Sequence, residues 1–192
     1  MELLTGFGLA TAAGLNAYIP LLCLGLLARF TDVVTLPPAW SWLENGWVLT
    51  IVGVLLAVEV VADKVPALDS VNDAVQTVVR PTAGGIVFGS GATAQTAGVT
   101  DPGAFAHWSQ WIPIAIGVVV ALVVHLTKSA VRPAANVASA GVAAPVLSTL
   151  EDVTSVGLVG VAILVPVVVL VVVVVLAWAA ARLLLRKRRR RA

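Results

Sequence analysis

Six charged side chains fall between Glu59 and Arg80, in the stretch EVVADKVPALDSVNDAVQTVVRPTAGG, whose flanks are almost wholly apolar. Glu59, Asp63, Lys64, Asp69, Asp73 and Arg80 are the residue types that exchange protons, hold cations or pair with one another. On a helical wheel Asp69, Asn72, Asp73, Gln76 and Arg80 share one face, and Val71, Ala74, Val75, Val78 and Val79 take the other. A second set, His125, Lys128, Arg132, Asn136 and Ser139, recurs at spacings of three and four, so a continuous helix would align it as one polar stripe. Glu151 and Asp152 follow. Near the start, Asn16, Tyr18 and Pro20 interrupt an apolar run; Asn16 is either glue between helices or a ligand for a solute. His125 likewise is either a satisfied interhelical histidine or a proton relay.

The rest of the chain sets the cost of these charges. Of 192 residues, 59% are hydrophobic and only 11% charged, against about 25% charged in a soluble domain. The mean hydropathy is +1.01, so the expected home is a bilayer. A charge at membrane depth costs about 2.5 to 3.5 kcal/mol on insertion scales, so each needs a partner or a function. Pairing between the two sets would satisfy that cost. Transport requires more, namely polar atoms left available to a solute.

Enzyme and metal signatures are absent. There is no HExxH, CxxC, GxSxG or P-loop pattern, and two histidines with one cysteine make a poor metal site. No catalytic residue, metal or cofactor is therefore expected. GGIVFGSG lacks the Lys-Ser/Thr of a phosphate loop and reads as helix packing, and its Gly-rich face would also allow an oligomer.

The elements that position the charges read as one all-α transmembrane domain over residues 1–192. Its expected spans are residues 3–28, 47–62, 82–99, 111–127, 129–150 and 156–185. The first lacks a basic n-region and is too long for a signal peptide, so it is read as a retained span. Helix breaks are expected at Pro66 and at Arg80-Pro81, and a kink or restart at Pro133. Trp40, Trp42, Trp47, Trp108 and Trp111 suit an interfacial belt. Sliding the chain by 64 residues aligns Trp47 with Trp111, Lys64 with Lys128, Asn72 with Asn136 and Pro81 with Pro145. Repeat units of about 47–105 and 111–165 are the result. Lys64, Arg80, Lys128, Arg132 and the basic tail at 186–192 would lie on one side, with Arg29 opposite. The expectation is a multi-pass cell-membrane protein of about six spans with a cytoplasmic C-terminus, or five spans if residues 129–150 are re-entrant. A basic tail directly after a span is a topology signal near anionic lipid, and no nucleic-acid partner is expected.

The pieces DKVPALDSVNDAVQTVVRPTAGG and HLTKSAVRPAANVASAG, with GLNAYIPLL near the start, resemble the bacterial integral-membrane family called domain of unknown function 4126. The resemblance implies a polytopic membrane protein and brings no activity with it. The residues themselves suggest a small ion- or proton-coupled transporter or channel with a polar site where the units meet. That site would draw on Asn16, Glu59, Asp63, Lys64, Asp69, Asn72, Asp73, Arg80, His125, Lys128, Arg132, Asn136, Glu151 and Asp152. The alternative is a membrane scaffold or assembly partner whose charges only lock its helices.

Overall fold

The computed structural model describes residues 1–100, 111–139, 142–169 and 171, with backbone alone for 66–70, 134 and 136. Within these lie helices α1 (Glu2–Leu15), α2 (Tyr18–Phe30), α3 (Gly46–Ala62), α4 (Pro66–Gly91), α5 (Trp111–Ala138) and α6 (Ala143–Leu164). Two short strands, β1 (Val34–Thr35) and β2 (Gln95–Thr96), pair antiparallel, Val34 with Thr96 and Thr35 with Gln95. A 3₁₀ helix, Pro38–Glu44, leads into α3 at an angle of 59°. The end carrying β1 and β2 is called the strand end. The opposite end, where α3 gives way to α4 and α5 to α6, is the turn end.

Residues 3–28, expected to cross as one span, instead form a hairpin of two half-length helices. Pro20 has no N–H to offer the Asn16 carbonyl, and the helix stops at Leu15 and restarts at Tyr18. The Asn16 side chain then caps the new helix, its Oδ1 accepting from the N–H of Tyr18 at 3.0 Å and of Ile19 at 3.1 Å. Both open ends of the hairpin lie at the strand end. Gly6 sits against the Phe88 ring, and Gly91 against Leu9. On the return limb Gly25 packs on Leu43 and Leu49, and β1 follows directly. The tip reaches inward: Gly14 lies against Val124, and the Ser155 hydroxyl donates to the Ala12 carbonyl at 3.1 Å. Fourteen residues rise only about 21 Å, short of a hydrocarbon core of about 30 Å, so neither limb can cross it.

Helices α3 to α6 make two hairpins, down and up, around this wedge. α4 and α5 approach closely because both carry glycine at the crossing; a Cβ on Gly84 would fall 2.7 Å from the Gly117 carbonyl oxygen. α4 runs unbroken through Pro81, where a restart was expected, and α5 runs unbroken through Pro133. Each proline removes one ladder bond; Pro81 is buried among neighbouring helices, whereas Pro133 faces outward. α5 therefore takes in the residues assigned to the start of a separate fifth span, and α6 begins at Ala143. Glu151 and Asp152 stand within α6. The third segment, read over 82–99, is the second half of α4 followed by β2. In the 64-residue alignment Lys64 falls in the turn after α3, whereas Lys128 lies inside α5; the first unit breaks where the second does not.

Polarity runs inside out. Val78 is 71% exposed, while Arg80, two residues on, is 0% exposed. Valine and leucine likewise face outward along α3, α5 and α6. α5 over Trp111–Pro133 and α6 are long and apolar enough to cross a membrane, and α3 with its bent 3₁₀ lead-in makes a third candidate. Apolar outside and charged inside is the arrangement lipid requires. The turn at Asp101, Trp108 and the tail at 186–192 lie outside the described residues.

Candidate functional site

Where the α1–α2 tip ends, the charges begin. Arg80 on α4 donates through Nη2 to Glu59 Oε1 on α3 at 2.9 Å. Asp63, in the turn after α3, accepts from Arg132 at 3.1 Å, from Lys128 at 3.5 Å and stands 3.7 Å from Arg80. The Asn72 amide donates to its other oxygen. Glu151 on α6 takes Lys128 at 2.8 Å and also Arg132. Asp152 accepts from the Asn16 amide at 2.9 Å and stands 3.7 Å from Lys64. Four carboxylates, Glu59, Asp63, Glu151 and Asp152, thus meet four cations, Lys64, Arg80, Lys128 and Arg132, and their charges cancel.

The broken helix joins this network through its backbone. The last turn of α1 has carbonyls with no partner in its own helix. Lys128 Nζ donates to the Leu15 carbonyl at 3.1 Å, and Arg80 Nη1 to the Gly14 carbonyl at 3.4 Å. Cations from α4 and α5 therefore sit at the negative end of α1, the favourable end for them.

His125 is held in one tautomer. Arg80 Nη1 can only donate, so His125 Nδ1, 3.4 Å away, accepts. Nε2 then carries the hydrogen and donates to Thr77 Oγ1 at 2.9 Å, and the Thr77 hydroxyl passes its own hydrogen to the Asp73 carbonyl at 2.9 Å. The ring is neutral and orients Arg80.

Burial is uneven. The side chains of Arg80, Glu59, Asp63, Lys128 and Arg132 are at most 3% exposed. Glu151, Asp152 and Lys64 are 16%, 19% and 36% exposed and form the margin of the network. Its strand side is covered by the α1–α2 tip. A cleft of about 610 Å³ bordered by Asp32, Thr35, Gln95 and Thr100 lies at the strand end, away from the charges.

Of the candidate residues, Asn16, Glu59, Asp63, Lys64, Asn72, Arg80, His125, Lys128, Arg132, Glu151 and Asp152 meet in this one network. Asp73 contributes its carbonyl and, among the described residues, no ion pair. The side chains of Asp69 and Asn136 lie outside the described residues. Sequence reasoning missed Thr77 and the carbonyls of Gly14 and Leu15. Thr77 lies one helical turn after Asp73 and could have been found on the wheel; backbone carbonyls leave no signal beyond the Asn16–Pro20 interruption.

Two helices long and apolar enough to cross a membrane, in a bundle with apolar outer faces and a buried charge network, mark a membrane protein. The chain belongs to the family described as Domain of unknown function (DUF4126), whose family model matches residues 3–186. No curated protein and no solved structure matches it.

Proposed function

We propose that the protein is a small ion- or proton-coupled transporter or channel whose working site is the charge network beneath the α1–α2 tip. The observation that carries this reading is the end of a half-depth helix meeting that network. Helices that stop partway through the bilayer place free backbone carbonyls beside cations and substrate, a recurring device of transporters. Here Lys128 and Arg80 occupy those carbonyls. The exposed margin at Lys64, Glu151 and Asp152 supports entry from the turn end, with the hairpin closing the other side.

On this reading α3, α4, α5 and α6 cross the membrane and the hairpin is re-entrant. The apolar run after Pro166 has the length of a fifth crossing, so five crossings replace six. Met1 then faces outside and the basic C-terminus the cytoplasm, which keeps Lys64, Arg80, Lys128 and Arg132 toward the positive side. Reporter fusions after residues 45 and 105 should both report outside, and cytoplasmic signal from either would overturn the topology. If a repeat underlies the fold, it relates the α3–α4 and α5–α6 hairpins, each closed by one carboxylate–guanidinium pair, Glu59–Arg80 and Arg132–Glu151. The helix boundaries support that pairing better than the uniform shift of 64.

The decisive experiment is flux in proteoliposomes of the purified protein under imposed proton, sodium and potassium gradients. Wild-type flux that disappears in Glu151→Gln with the protein still folded supports transport. The second reading, a membrane scaffold, is favoured by the ion pair that each of the eight network charges makes. Absence of wild-type flux under every gradient, with vesicles tight and protein folded, would decide for it.

A further inference from the structure

Glu59 differs from the other carboxylates of the network. Asp63, Glu151 and Asp152 each meet two or more donors. Glu59 is 2% exposed and, among the described residues, hydrogen-bonds through Oε1 alone, to Arg80; its Oε2 is buried with no hydrogen-bond partner among them. Gln76 Oε1, one turn before Arg80 on the same face of α4, is a second buried acceptor without a donor among the described residues. A buried anionic oxygen with no donor forfeits its hydration for nothing. The buried groups of α4 that lack a partner among the described residues are of both kinds, the acceptors Gln76 Oε1 and Asp73 Oδ1 and the donor Arg80 Nε. One proton removes the charge of Glu59 Oε2 and turns that oxygen into a donor.

We propose that Glu59 is the proton-binding residue of the network. Its Oε2 takes one proton from the water at the turn end, the carboxylate becomes a neutral carboxylic acid, and the balanced network acquires one net positive charge. The charged and titratable groups around Glu59 are Arg80 on α4, Lys128 on α5, Asp63 in the turn and Tyr18 on α2, with His125 behind Arg80. Glu59 is then the coupling group of the transport reading, on which this rests for the network being a working site. It makes the coupling ion a proton rather than a metal cation.

The test needs no transport. The full chain in lipid vesicles, without a gradient, is acidified while difference infrared spectra follow the carbonyl band of a protonated carboxyl group. Wild type should gain such a band, Glu59→Gln should lose it, and Glu44→Gln should keep it. Glu59→Asp, which keeps a carboxyl group, should move the band and decides the matter if Glu59→Gln does not fold. No band from folded wild type, or a band unchanged in Glu59→Gln or Glu59→Asp, overturns the proposal. A Glu59 band without flux removes the transport reading alone, and flux without the band removes the proton assignment alone.

Discussion

Pro81 divides α4 into two lengths that meet their neighbours differently. From Ala83 to Gly91 nearly every residue is buried, and small residues set backbone against backbone: Gly84 on Gly117, Gly85 on Val118, Gly89 on Trp40. From Val71 to Arg80 the helix turns Val71, Val75 and Val78 outward and Gln76 and Arg80 inward. The first length borders the α1–α2 wedge, which fills the centre of the bundle with glycine and alanine. The second lies where the wedge stops, and polar side chains fill what it leaves. The same bundle is thus held by close packing at one depth and by paired charge at the other, and the boundary is the break at Asn16.

Substitutions at each depth should separate the two modes, and thermal unfolding of purified protein in lipid nanodiscs reads them all. The largest effect belongs to Arg80→Met, which leaves Glu59 buried without its cation and should cost about 3 to 5 kcal/mol. Adding Glu59→Gln to it should recover most of the loss; a double variant as unstable as the single would mean Arg80 acts by packing. Next comes Gly84→Val, where the added carbons meet the Gly117 backbone and should cost about 1 to 3 kcal/mol. A neutral result there would show that α4 and α5 can part freely. Asn16→Ala removes the α2 cap and the bond to Asp152, for about 0.5 to 2 kcal/mol. It should also raise proteolytic nicking near residue 16, and unchanged nicking would argue against a cap that holds the tip. Smallest is Val78→Ala on the outer face, expected within about 0.5 kcal/mol. A larger loss would place a protein surface against Val78 instead of lipid.

The convergence of charges was legible because each one stood out against an apolar background and had to find a partner. Glu59, Lys128 and Glu151 could be named before their distances were known. The hairpin was not legible. In an unbroken apolar run, Asn16 and Pro20 read equally well as a kink, and only the contacts of Gly6 and Gly25 with the strand end show that the chain turns back. Helix continuity through Pro81 and Pro133 was hidden for the opposite reason. Local propensity favours a break; at Pro81, which is buried, tertiary packing overrides it, and at the exposed Pro133 nothing in the packing explains the continuity. The 64-residue shift rested on side-chain identity, and it could not see that α3 ends where α5 continues.

The half-length of the hairpin also has an electrical side. On the proposed topology, packed protein separates the network from the outside, while the exposed margin at Lys64, Glu151 and Asp152 joins it to the cytoplasmic water. Most of the membrane voltage then falls across the hairpin. An elementary charge carried through the full field changes energy by about 2.3 kcal/mol per 100 mV. The short step between the network and the cytoplasm would cost little of that. The passage along α1 and α2 would bear nearly all of it, so on the transport reading a proton crossing inward would be driven mainly where the polypeptide is most tightly packed.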